Sequence, residues 1–138
     1  MATFNKFNQF VEDIAHGVHD LETDQIVVAL TNTAPLATNA VRTDLTEISY
    51  TNCSSRNVTT TSSAETSGTY KLTLTDLTLT ASGGTVGPFR YVVLYNDTPT
   101  GPADPLVGYY DYGSSITLND TETLDIDFDN AGGALTIV

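Results

Sequence analysis

Residues 70–80 read YKLTLTDLTLT. Leu72 and Leu74 alternate with Thr73 and Thr75, and Leu77 and Leu79 alternate with Thr78 and Thr80. Alternation of apolar and polar side chains with a period of two marks a half-buried β-strand, because successive side chains leave opposite faces. The alternation slips by one residue at Asp76. A single straight strand through that point would turn one leucine pair out of the core. The sequence therefore predicts a bulge or bend at Asp76.

Working outward, the strand signals continue on both sides. Phe89–Tyr95 (FRYVVLY) is apolar on both faces apart from Arg90, the pattern of a central strand. Asp24–Thr33 (DQIVVALTNT) is rich in β-branched residues and stops at Ala34-Pro35. Leu45–Tyr50 is a weaker strand segment, and the Thr-rich run Asn57–Ser63 suits a solvated edge. Leu106–Tyr112 (LVGYYDY), Ile116–Leu118, Thr123–Phe128 and Ala134–Val138 complete the set. Turns are expected at Ser82-Gly83-Gly84, Asn119-Asp120 and Gly132-Gly133. The Pro-rich stretch Asn96–Pro105 reads as a loop, either a crossover between sheets or a functional projection. About eight short strands with turn residues between them predict an all-β, jelly-roll-like β-sandwich.

An α-helix is expected ahead of the sandwich. Phe4, Phe7, Val11, Ile14 and Val18 recur at helical spacing, and Phe10 widens the stripe. Thr3 is placed to cap the start and Gly17 to end it. Residues 1–22 are thus read as a helix packed on, or extending from, a sandwich of residues 23–138, within one domain. The helix stripe has two uses open to it: the core of its own domain, or a partner.

Charge narrows the functional classes. The 138-residue chain has five Lys plus Arg against seventeen Asp plus Glu, a net charge of −12. Only 16% of residues are charged, so the imbalance is a shortage of bases; 24 threonines supply much of the polarity instead. Such a chain repels phosphate backbones and anionic lipid, which argues against nucleic-acid and membrane partners. With 40% hydrophobic residues it is not a disordered acidic tail. The single Cys53 permits neither an intrachain disulfide nor a cysteine zinc site. The first residues lack the basic and apolar regions of a secretory signal, so synthesis in a cytoplasm is expected.

No residue set reads as catalytic, cofactor-binding or metal-binding. Asp125, Asp127 and Asp129 open like a calcium loop, but Asn130 and Thr136 stand where Gly and Glu are needed. Alternation with Leu124, Ile126 and Phe128 makes them the solvent face of a strand instead. Glu12, His16 and His19 offer metal-ligand chemistry without a recognisable ligand order. There is no G-x-S-x-G elbow, and an enzyme is not expected. Beyond Arg90 the chain holds eight acids and no Lys or Arg. Tyr109, Tyr110 and Tyr112, just after the Pro-rich loop, are candidate loop contacts for a partner or a sugar ring.

Several runs carry a resemblance. They are residues 7–19 (FNQFVEDIAHGVH), 28–35 (VALTNTAP), 68–72 (GTYKL), 81–97 (ASGGTVGPFRYVVLYND) and 104–118 (DPLVGYYDYGSSITL). Together the chain resembles small structural proteins of tailed bacteriophages, and among them best the capsid decoration, or cement, class. The likeness spans nearly the whole chain, with Asn52–Ser67 matching least clearly. It implies a jelly-roll sandwich, working as a homodimer, that binds the outer surface of an assembled head and stabilises contacts between major capsid proteins. The expected location is therefore the virion, on the outside of the capsid, with the acidic C-terminal face directed outward. Phe4, Phe7, Phe10 and Val11 are the candidate dimer or capsid contact. The alternative is a receptor- or carbohydrate-binding module of a tail or fibre that uses the three tyrosines.

Overall fold

Thr69–Leu74 and Leu77–Thr80 are two separate strands, divided at Thr75-Asp76 where the Leu/Thr alternation slips. A computed structural model describes residues 2–138. In chain order its strands are β1 (Asn5–Lys6), β2 (Ile26–Thr31), β3 (Asn57–Val58), β4 (Thr60–Thr66) and β5 (Thr69–Leu74). There follow β6 (Leu77–Thr80), β7 (Val86–Asn96), β8 (Leu106–Leu118), β9 (Thr123–Ile126) and β10 (Leu135–Ile137). Helix α1 (Asn8–Ala15) lies between β1 and β2. The protein is an all-β sandwich with a short N-terminal helix. Among the described residues there are ten strands rather than about eight, two of them only two residues long.

A five-stranded sheet in the order β1-β8-β7-β2-β3 forms one layer. A three-stranded sheet, β10-β5-β4, and the pair β6-β9 form the other. All pairings are antiparallel. The slip at Asp76 is thus larger than a bulge: the chain leaves one sheet and enters another. Both leucine pairs stay inward because each belongs to its own strand. Leu72, Leu74 and Leu79 join Ile26, Val28 and Leu30 of β2 and Phe89, Val92 and Leu94 of β7 in one core. The Asp76 carboxylate accepts the Phe128 backbone N–H at 3.0 Å and so ties the crossing point to the chain beyond β9.

Strand β7 is central, as its two apolar faces predict. Its opposite face contributes Val93 and Tyr95 to a smaller core with Phe7, Val27, Ala29 and Leu106. Leu45 and Tyr109 pack against that cluster. Leu45–Tyr50 is not a strand: Leu45 packs on this outer cluster, whereas Ile48 and Tyr50 pack against the main core. A 3₁₀ turn at Arg42–Asp44 leads into the segment. Tyr50 then anchors it: the Tyr50 hydroxyl donates to Glu47 at 2.6 Å and accepts the Leu30 N–H at 2.9 Å. The Arg42 Nε donates to the same Glu47 carboxylate at 2.8 Å, and the Arg56 guanidinium lies 3.6 Å from the Tyr50 ring centre.

Two further expectations change. The Pro-rich stretch is no crossover, because β7 and β8 are antiparallel neighbours and it simply joins them. Leu106–Tyr112 and Ile116–Leu118 are one strand of 13 residues. The helix is also shorter than its stripe, with Phe4 ahead of β1, Phe7 at the N-cap and Val18 beyond the end. The chain stays paired to β8 as far as Phe7, whose N–H donates to the Val107 carbonyl at 3.3 Å, so coiling starts only afterwards. Gly17 ends the helix as expected, at φ +71. Its N–H donates to the Ile14 carbonyl and the Val18 N–H to the Asp13 carbonyl, a Schellman closure.

Candidate functional site

Helix α1 and the residues before it face the 132–138 segment across a groove of about 560 Å³. Phe4, Phe10, Val11 and Ile14 form one wall, and Leu135 and Ile137 are on the other. None of its twelve lining residues is Asp or Glu, although seventeen acids occur in the chain; Lys6 is its only charged side chain. Strands β1 and β10 are each the last strand of their sheet, so each offers an edge without a strand partner.

The wall is built by close packing. Gly108 of β8 lies under Phe4, and a Cβ at that position would collide with the Phe4 ring and the Asn5 carbonyl. The Phe4 ring packs tilted against Tyr110, with centroids 5.5 Å apart, and Tyr110 likewise against Phe128 at 6.3 Å. Phe10 is buried, with its ring 5.1 Å from the His19 imidazole. Val11 is 54% exposed and Ile137 42%, large apolar surface for so polar a protein.

The four residues read as a contact thus separate. Phe4, Phe10 and Val11 line the groove. Phe7 does not: it is fully buried on the opposite side of the large sheet, 5.4 Å from Tyr109, and presents no surface. The spacing that put Phe7 on the stripe assumes a helix that has not yet begun there. The three tyrosines are in strand β8 rather than in the loop, and the pleat divides them. Tyr109 joins Phe7 and Tyr91 on the outer face. Tyr110 and Tyr112 share the other face, where they line a second groove of about 400 Å³ with Leu124, Asp125 and Asp127.

The histidines also part company. His16 is exposed, 3.6 Å from Glu12. His19 is buried, with its Nδ1 3.1 Å from the Asn96 amide nitrogen, which also donates to Asp24 at 2.7 Å. Burial lowers the His19 pKa, against the pull of the Asp13 and Asp24 carboxylates. Of the three aspartates, Asp125 is in β9 and accepts the Thr78 hydroxyl at 2.6 Å. Asp127 and Asp129 lie past the strand end, and Asp129 accepts the Gly132 N–H at 2.9 Å in the turn toward β10. Among the described residues no three His, Cys, Asp or Glu side chains are grouped to hold a metal ion. Cys53 is half-buried, which raises its thiol pKa.

Sequence reasoning missed the far wall of the first groove. Ala134–Val138 carries a strand signal, but nothing local says that this strand lies opposite α1. No family model, curated protein or solved structure matches the chain. No helix among the described residues is long and apolar enough to cross a membrane.

Proposed function

We propose that the protein is a capsid cement, or decoration, protein: it binds the outer surface of a tailed-phage head and stabilises contacts between major capsid proteins. The observation that carries this reading is the acid-free apolar groove between α1 and β10 on a chain of net charge −12. Two copies repel wherever their acidic faces meet. Here no Asp or Glu is among the described residues that line the groove. An isologous contact, the same patch on both copies, makes the homodimer. Repeated around a closed shell, contacts of modest strength suffice to hold. The role needs no catalytic residue, metal or cofactor, and the proposed location is the outside of the virion.

The test is cosedimentation of the purified chain with expanded heads that lack their decoration protein. Saturable binding, together with a rise in the temperature at which heads rupture, supports the reading. Folded, dimeric protein that stays in the supernatant refutes it.

The carbohydrate-binding alternative has less behind it. Only Tyr112 of the three tyrosines is well exposed, at 52%, so the strand offers one free ring rather than a stacking platform. A glycan array separates the two, since a cement protein binds no sugar on it.

A further inference from the structure

We propose that the groove beside Tyr112 receives an arginine or lysine side chain of a partner protein. This deepens the cement reading, on which it rests only for the partner's identity. The groove holds about 400 Å³ and is mostly apolar, with Val92, Leu124 and the Tyr110 ring on its walls. Tyr112 stands at its rim, and Asp125 and Asp127 bring two carboxylates to it.

Charge selects the occupant. Among the described residues the ion pairs are His16–Glu12, Arg42–Glu47 and Arg90–Asp111. Among the described residues, therefore, no cation pairs with Asp125 or Asp127, and no Lys or Arg follows Arg90 in the sequence. Each carboxylate has one oxygen engaged: Asp125 Oδ1 by the Thr78 hydroxyl at 2.6 Å, Asp127 Oδ1 by the Asp129 N–H at 2.9 Å. The second oxygen of each remains for an incoming donor. A bare metal ion would gain nothing from the apolar walls. A neutral sugar would leave the charge unanswered. A guanidinium or ammonium on an aliphatic stem uses both, the stem against Leu124 and Val92 and the head between the carboxylates and the tyrosine rings. Part of the acidic face expected to point outward thus becomes a binding wall.

The probe is the capped peptide acetyl-Gly-Arg-Gly-amide, titrated into the ¹⁵N-labelled protein at low salt. The expected result is saturable shifts at the backbone amides of Tyr110, Tyr112 and residues 124–127. They should be about tenfold weaker for the double variant Asp125→Asn/Asp127→Asn, and also weakened by Tyr112→Ala. The exposed positions keep both variants folded, and their undisturbed spectra elsewhere verify it. Shifts spread evenly over all acidic residues, or no preference over acetyl-Gly-Gln-Gly-amide, overturn the proposal. So does a preference for N-acetylglucosamine. Arginine binding in this groove by a protein that ignores heads overturns the cement reading alone; head binding without it overturns the groove alone.

Discussion

The Asp76 carboxylate accepts the backbone N–H of Phe128, 52 residues further along, at 3.0 Å. Phe128 is buried in the main core, while Asp76 lies at the surface where the chain passes from β5 to β6. One hydrogen bond thus joins the sheet change to the end of the β6-β9 pair. Asp76→Ala removes the acceptor and should cost about 1 kcal/mol in urea unfolding, while Asp76→Asn retains most of that. Equal stability of Ala and wild type would show that the bond contributes nothing.

Gly108 makes room for Phe4. Gly108→Ala forces the Phe4 ring and β1 away from β8, an overpacking cost of about 1–3 kcal/mol. Amide hydrogen exchange at Asn5–Phe7 should speed up, and the proposed dimer contact should weaken because one groove wall has moved. Unchanged exchange there would mean that the ring shifts without disturbing the strand.

Val11 separates binding from folding. It is exposed on α1, so Val11→Glu should change stability by no more than about 0.5 kcal/mol. It also places an acid in the groove that has none. The proposed dimer should therefore be lost in light scattering while the melting temperature holds. A persistent dimer would move the interface elsewhere.

His19 sets a pH dependence. Its Nδ1 lies 3.1 Å from the Asn96 amide nitrogen, and its Nε2 is buried without a hydrogen-bond partner, so a second ring proton would go unanswered there. Desolvation keeps its folded pKa below the ordinary value of 6.5, despite Asp13 and Asp24. Below 6.5 the unfolded chain binds the proton first, so stability present at neutral pH is lost as pH falls toward the folded pKa. The urea midpoint should drop as pH falls below the ordinary histidine value of 6.5, and His19→Gln should flatten that slope. The Asp20, Asp44 and Asp111 carboxylates are held below their ordinary 3.8 and act only in a lower, separate window.

Much of the frame was legible because local periodicity states which side chains face the same way. The Leu/Thr alternation marked both strands and located their division at Asp76. The doubly apolar Phe89–Tyr95 run identified the middle of the large sheet, and Gly17 the end of the helix. Leu45–Tyr50 was misread because its apolar residues divide between the two cores, held in place by Tyr50, Glu47 and Arg42, rather than forming a ladder. The candidate site was half legible: Phe4, Phe10 and Val11 share one groove, whereas Phe7 turns to the other side of the sheet.

The sequence by itself determined strand content, a break in the alternation at Asp76 and the shortage of bases, because these are properties of neighbours along the chain. Only the tertiary structure decided that β10 lies opposite α1, that Tyr110 and Tyr112 share a groove with Asp125 and Asp127, and that His19 is buried against Asn96. Those juxtapositions join residues up to about 130 positions apart. They are selected by the burial summed over the whole core, and no local pattern records that sum.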